Sequence, residues 1–253
     1  RSGVVAAAEG RLGAVRRLRE ATEHCLARAR DGENSRLALR ARVLLASRVL
    51  PSLLPPGACQ RALVVAWDRS LAAGDPESAS LAAAAYAAAV VCAGGDARAA
   101  RDELEAFERT LAPFPEVVGA VVVRLYRRFL DHQLHAEETS TSRPRAAFEA
   151  TLAEAREREL AREHAALLGG WAALLDDDPA GAVAAFDALP RGGALALPTP
   201  VGARHRCLEA VAGLTLRAGP QIRWQARRTR RRLVEWRRRG LATPPPELLA
   251  AAL

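Results

Sequence analysis

The chain of 253 residues contains no methionine and no lysine, so all 37 of its basic side chains are arginines. Without a methionine, the sequence reads as a piece of a longer protein, and any targeting segment is expected outside it. The missing lysine reads as the imprint of a GC-rich genome, so an arginine here is not by itself a choice of guanidinium over ammonium. Aromatics fall to 4%. The four cysteines, Cys25, Cys59, Cys92 and Cys207, form no CxxC pair and sit in apolar helical contexts. That pattern predicts reduced, buried thiols and a cytoplasmic location. No apolar run reaches the roughly 18 residues of a membrane span; the longest is Leu81–Ala93, mostly alanine. No glycine-rich phosphate loop is present, because Gly169-Gly170 and Gly192-Gly193 lack a strand–loop–helix setting.

Period-two alternation is almost absent, which argues against sheet, while alanine is abundant and favours closely packed helices. Breakers fall at regular intervals. They predict helices over Val4 to Arg30, Ser35 to Leu50, Cys59 to Ala73, Pro76 to Ala93, Ala97 to Leu111 and Glu116 to His135. Glu137 to Pro144 reads as a loop. Helices resume at Arg145, with a break near Arg158-Glu159 placed on length alone and another at Asp176 to Pro179. Ala180 to Leu189, Val201 to Ala218, Gln221 to Arg239 and Pro246 to Leu253 complete about twelve. Short connections favour antiparallel neighbours. The expectation is an all-α fold: residues 1–218 as a helical array, and 219–253 as a basic capping helix and tail.

An internal repeat supports an array. Leu81–Phe107 and Glu163–Leu189 share a helix, a turn containing Asp, and a second helix, in the same register. Ala88 aligns with Gly170, Ala100 with Ala182 and Leu104 with Phe186. A small residue midway along the first helix and another early in the second allow close approach, and the bulky residue four positions later fills the wedge. A looser copy spans Glu116 to Arg156, and Cys25, Cys59 and Cys92 recur at spacings of 34 and 33.

These positions resemble the tetratricopeptide repeat, which carries Gly or Ala at its eighth position, Ala at its twentieth and an aromatic near its twenty-fourth. Gly170, Ala182 and Phe186 match, as do Ala88 and Ala100. The tryptophan at the fourth position is missing, with Ala84 and Ala166 in its place, and the terminal proline is absent. In style the chain is similar to the helical-repeat arms of large bacterial signalling and regulatory proteins. The resemblance implies a right-handed α-solenoid of antiparallel hairpins, whose first helices line a partner-binding groove. Groove-facing positions would be His164, Leu167, Trp171, Leu174 and Leu175 in the later copy. In the earlier copy they would be Ala82, Ala85, Ala89, Cys92 and Ala93. Tryptophan is enriched at hot spots, so Trp171 is the candidate anchor. The expected function is non-enzymatic: a module that holds a partner protein or peptide, with no cofactor, metal or membrane contact.

Charge adds one further feature. Arg223 to Arg239 holds nine arginines against Glu235, leaving 28 arginines and 28 acids for the rest of the chain. The net charge of +8 is therefore local. Ile222, Ala226, Thr229, Leu233 and Trp236 recur at helical spacing, a stripe for packing that leaves the arginines outside. A solvated capping helix fits this pattern. So does an anion-binding face, using Arg223, Arg227, Arg228, Arg230, Arg231, Arg232, Arg237, Arg238 and Arg239 toward nucleic-acid phosphates, an acidic protein surface or anionic lipid. No helix-turn-helix or finger signature accompanies it, so sequence-specific base reading is not expected. His132, His135 and Glu138 share a helix face but occur so by chance often enough that no metal is expected. His24 and Cys25 point to different faces, and no catalytic dyad is expected from them.

Overall fold

The structure, a computed structural model, describes residues 36–52, 54–94, 96–136, 142–188, 200–217 and 219–238, with Gly13, Arg17, Glu20, Glu23 and His24 of the preceding segment. Among the described residues it is all-helical, with ten α-helices and no strand. They are α1 (Arg36–Leu44), α2 (Pro56–Ala72), α3 (Pro76–Ala93), α4 (Ala97–Leu111) and α5 (Val118–Ala136). Then follow α6 (Ser142–Glu157), α7 (Glu159–Leu175), α8 (Pro179–Asp187), α9 (Pro200–Arg217) and α10 (Pro220–Arg238). Most of the helix expected over Val4 to Arg30, the 190–199 connector and the whole of the helix expected at Pro246 to Leu253 lie outside the described residues.

Four helices begin on the proline that the sequence reading placed just before them or treated as a stop: Pro56, Pro179, Pro200 and Pro220. Proline lacks the N–H that a first turn leaves unpaired anyway, and its φ is already helical. The same physics shortens the expected loop at 137–144, because α6 takes Ser142 to Pro144 into its first turn. The expected helix Ser35 to Leu50 is not regular throughout. After α1 the chain widens into a π-helical turn at Leu45–Val49, then tightens into a 3-10 turn at Leu50–Ser52. Pro51 has no N–H to continue a regular ladder there.

One turn recurs in atomic detail. Gly74 (φ 66°) and Asp177 (φ 57°) both take the left-handed conformation that closes a helix. Their N–H groups donate to Leu71 and Leu174 carbonyls, and the following Asp75 and Asp178 N–H groups donate to Ser70 and Ala173 carbonyls. Each of those aspartates then caps the next helix, Asp75 Oδ1 accepting from Ser78 N and Asp178 Oδ1 from Gly181 N. The two turns join α2 to α3 and α7 to α8, so the shared geometry is not at the aligned turn of the earlier copy, Gly94 to Asp96.

Sequential helices pack on each other, and each odd-numbered helix also touches the next odd one: α1 on α3, α3 on α5, α5 on α7, α7 on α9. Even-numbered helices flank this tier without extensive contact among themselves in the described residues. The odd tier also turns back on itself, because α9 touches α3. Small residues allow this density. Ala79, Ala82, Ala83 and Ala87 of α3 are fully buried. A Cβ on Gly119 of α5 would lie 2.1 Å from the Ser80 carbonyl oxygen of α3. Phe129 and Tyr126 of α5 fill the centre. Mean hydropathy of 1.3 over 18 residues makes α3 long and apolar enough to cross a membrane, which the search for unbroken apolar runs missed; 61% of it is buried among its neighbours.

Candidate functional site

The contact that closes the odd tier is made by Arg204, in the second turn of α9. Its Nη2 donates to the carbonyl oxygen of Cys92 at 2.8 Å. That carbonyl is in the last turn of α3, where no intrahelical partner remains and the helix dipole is negative. The guanidinium carbon also stands 4.7 Å from the centroid of the Trp171 ring. Trp171 in turn rests against Phe129, ring centroids 4.9 Å apart. The indole is thus held between α5 and α9. Arg204 is only 9% exposed, and its Nε has no hydrogen-bond partner. It forms no ion pair with an acid among the described residues. A buried guanidinium without a counter-charge is costly, and one carbonyl and one indole face offset only part of that.

Trp171 and Arg204 form one wall of a cleft of about 450 Å³ between α2, α3, α4, α5, α7 and α9. Gln60 and Gln133 offer carboxamides, and Val90, Val91 and Leu130 offer apolar surface. At the other side, the Tyr86 hydroxyl donates to Glu103 Oε2 at 2.8 Å. Burial, and secondly the Glu103 carboxylate, push the Tyr86 hydroxyl up to about 12. The cleft therefore pairs a cationic, aromatic wall with an apolar floor and a polar rim. Such a surface grips a side chain or terminus of an extended ligand.

Behind the cleft runs a buried polar chain. The Tyr126 hydroxyl lies 3.0 Å from His164 Nδ1, and the Cys92 thiol faces the same hydroxyl. Burial pushes the Cys92 thiol up to about 12, against the pull of Arg204 and of the Tyr126 hydrogen bond. Burial, and then the charge of Arg48, bring His164 down to about 4. Near neutral pH the chain is uncharged and its thiol is not a nucleophile. Cys59 and Cys207 are pushed up to about 11, also by burial, as expected of structural thiols.

The expected groove positions on α7 separate into two groups. Leu167 is fully buried with Cys92, Phe186, Leu208 and Ala212, and His164 turns inward to Tyr126. Leu167 offers no groove surface, because α9 packs across α3 and α7 where an open concave face was expected, while His164 stays partly exposed. Cys92 is buried by the same contact, and Ala82 and Ala89 are buried against other helices. Trp171 and Leu174 are half-buried, and Leu175 is 50% exposed. The structure brings Trp171 to the cleft with Arg204, which the sequence reading did not single out. One signal was available: an arginine near the N-terminal end of a helix gains nothing from the dipole and looks for a partner elsewhere.

The arginine-rich segment forms α10, which packs on α9. Ala226 and Leu233 are fully buried against Cys207 and Leu214, with Ile222 beside them, so the apolar stripe is where the spacing put it. Arg223, Arg227, Arg228, Arg230, Arg231 and Arg238 are exposed. The side chains of Arg232, Arg237 and Trp236, and all of Arg239, lie outside the described structure. His132 stacks on Phe148 and lies 3.6 Å from Asp176. The His135 side chain and Glu138 are outside the description. Among the described residues no group of three metal-ligating side chains converges.

Comparison with known proteins adds no assignment: no family model, no curated protein and no solved structure matches this chain.

Proposed function

We propose that the chain is a non-enzymatic interaction module, a tetratricopeptide-like solenoid within a larger bacterial signalling or regulatory protein. Its partner is a protein or peptide that inserts an acidic group beside Trp171. The observation that carries this reading is Arg204, nine-tenths buried, stacked on Trp171 and without a carboxylate partner among the described residues, at the wall of an open cleft. An incoming carboxylate would supply the missing counter-charge through a charge-assisted hydrogen bond. The apolar floor would hold the rest of the segment. Support for the solenoid comes from the succession of odd-to-odd helix contacts and from Phe186 seated on Gly170. The return of α9 to α3 implies a tighter turn than an open groove has.

The test is selection of peptides from a random display library on the whole chain, followed by titration of the selected sequences. The reading expects acidic residues to be enriched. It expects affinity to fall at least tenfold, about 1.4 kcal/mol, on Arg204→Gln or Trp171→Ala with helix content retained. Selected peptides that bind both variants as tightly as the parent would show that the cleft is not the site.

A further inference from the structure

We propose that the outer face of α10 is a binding surface for the phosphate backbone of double-stranded nucleic acid, engaged without regard to base sequence. This goes beyond the partner cleft and uses none of its residues.

The first ground is geometry. At about 100° per residue, Ile222, Ala226, Thr229 and Leu233 occupy roughly 60° of the α10 circumference. That strip is taken up by α9: Ala226 and Leu233 are fully buried. Arg223, Arg227, Arg228, Arg230, Arg231 and Arg238, with Trp224, fill roughly 160° of the remainder, and the arginines span about 22 Å along the axis. All six are exposed.

The second ground is pairing. Elsewhere several arginines of this protein are matched by acids. Arg101 pairs with Asp131, Arg124 with Glu154, Arg127 with Glu108, Arg145 with Glu149 and Arg40 with Glu77. On α10 none of the six described arginines forms an ion pair with any described residue. The one contact found is internal, Arg228 lying 5.3 Å from the centroid of the exposed Trp224 ring. Holding six like charges together without a counter-ion works against folding, and a polyanion would relieve it.

The choice of polyanion follows from the same face. A membrane surface is engaged by helices that bury an apolar side in the lipid, and the apolar side of α10 is covered by α9. A protein surface mixes charges of both signs. Duplex nucleic acid carries one negative charge per about 1.7 Å of axis, an unbroken line that suits an unbroken cationic strip. Trp224, 58% exposed, adds a flat apolar surface against sugar and backbone.

The test uses the whole chain and a fluorescent duplex of about 20 base pairs, with binding followed by anisotropy as salt rises from about 50 to 300 mM. Contact of about four phosphates gives a slope of log affinity on log salt near −3.6. Arg227→Gln, Arg230→Gln and Arg231→Gln together are expected to remove most of that slope and to weaken binding at least tenfold at low salt. The same triple variant keeps the peptide affinity of the cleft, so failure here and failure of the partner reading are told apart. Two duplexes of unrelated sequence are expected to bind within threefold of each other. The proposal is overturned by no binding at low salt, by a triple variant with the parental slope, or by tighter association with phosphatidylserine vesicles than with duplex.

Discussion

The ring of Phe186 occupies the space a side chain on Gly170 would need: a Cβ placed there would lie 2.4 Å from both Cε1 and Cζ. This contact lies between α7 and α8, within one hairpin, where the sequence reading put Phe186 in the wedge between hairpins. It makes Gly170 a packing position.

Gly170→Ala is therefore expected to destabilise, although alanine is the better helix former by about 1 kcal/mol. Overpacking a buried site costs about 1–3 kcal/mol, which exceeds the propensity gain at the upper end of that range. Phe186→Leu in the Gly170→Ala background should recover part of the loss, and a double-mutant cycle by urea unfolding measures the coupling. Strictly additive effects would mean that the two residues do not meet.

Such pairs were legible because they are local. The caps at Asp75 and Asp178, the prolines that follow them and the break at Arg158 lie within a few residues of what they determine. Arg158 itself carries no capping hydrogen bond from its side chain, and only helix length betrayed the turn. The α3–α9 contact joins Cys92 and Arg204 across 112 positions. No periodicity reports a contact at that distance. Without it Leu167 reads as a groove residue, and with it that side chain is interior. The α10 stripe was legible because amphipathicity is a property of one helix, whereas the missing acid partners of its arginines required the whole fold.

A second expectation concerns the ion-pair cluster that ties α4 to α5. Asp131 accepts from Arg101 Nε at 3.1 Å and from Arg127 Nη1 at 3.2 Å, with Arg128 Nη1 at 3.6 Å. Asp131 and Arg127 are largely buried. Asp131→Asn keeps the shape and removes the charge, leaving buried guanidinium groups under-compensated. A loss of about 2 kcal/mol is expected in urea unfolding. Arg145→Gln, in a pair more than half exposed, is expected to change stability by less than about 0.5 kcal/mol.

Acid sensitivity should begin well before the carboxylates protonate. His164 and His205 are both held near 4 against an ordinary 6.5, chiefly by burial and secondly by Arg48 and Arg206 respectively. The unfolded chain takes up a proton on each below about pH 6.5, while the folded chain resists until about pH 4. Their contribution is therefore complete above pH 6.5 and is lost as pH falls toward 4. Thermal unfolding at pH 5 should come several degrees below that at pH 7.5. A His164→Gln, His205→Gln variant should show a flatter dependence over that window; an unchanged profile would assign the sensitivity to other groups.

Everything proposed for the cleft depends on Arg204 holding α9 to the end of α3. Hydrogen–deuterium exchange on the parent and on Arg204→Gln tests this most directly. Faster exchange is expected together in the last turn of α3, residues 88–94, and the first turns of α9, residues 200–208, with α2 unchanged. An increase confined to α9, or none in either segment, would contradict the closure and with it the cleft as the place where a partner is held.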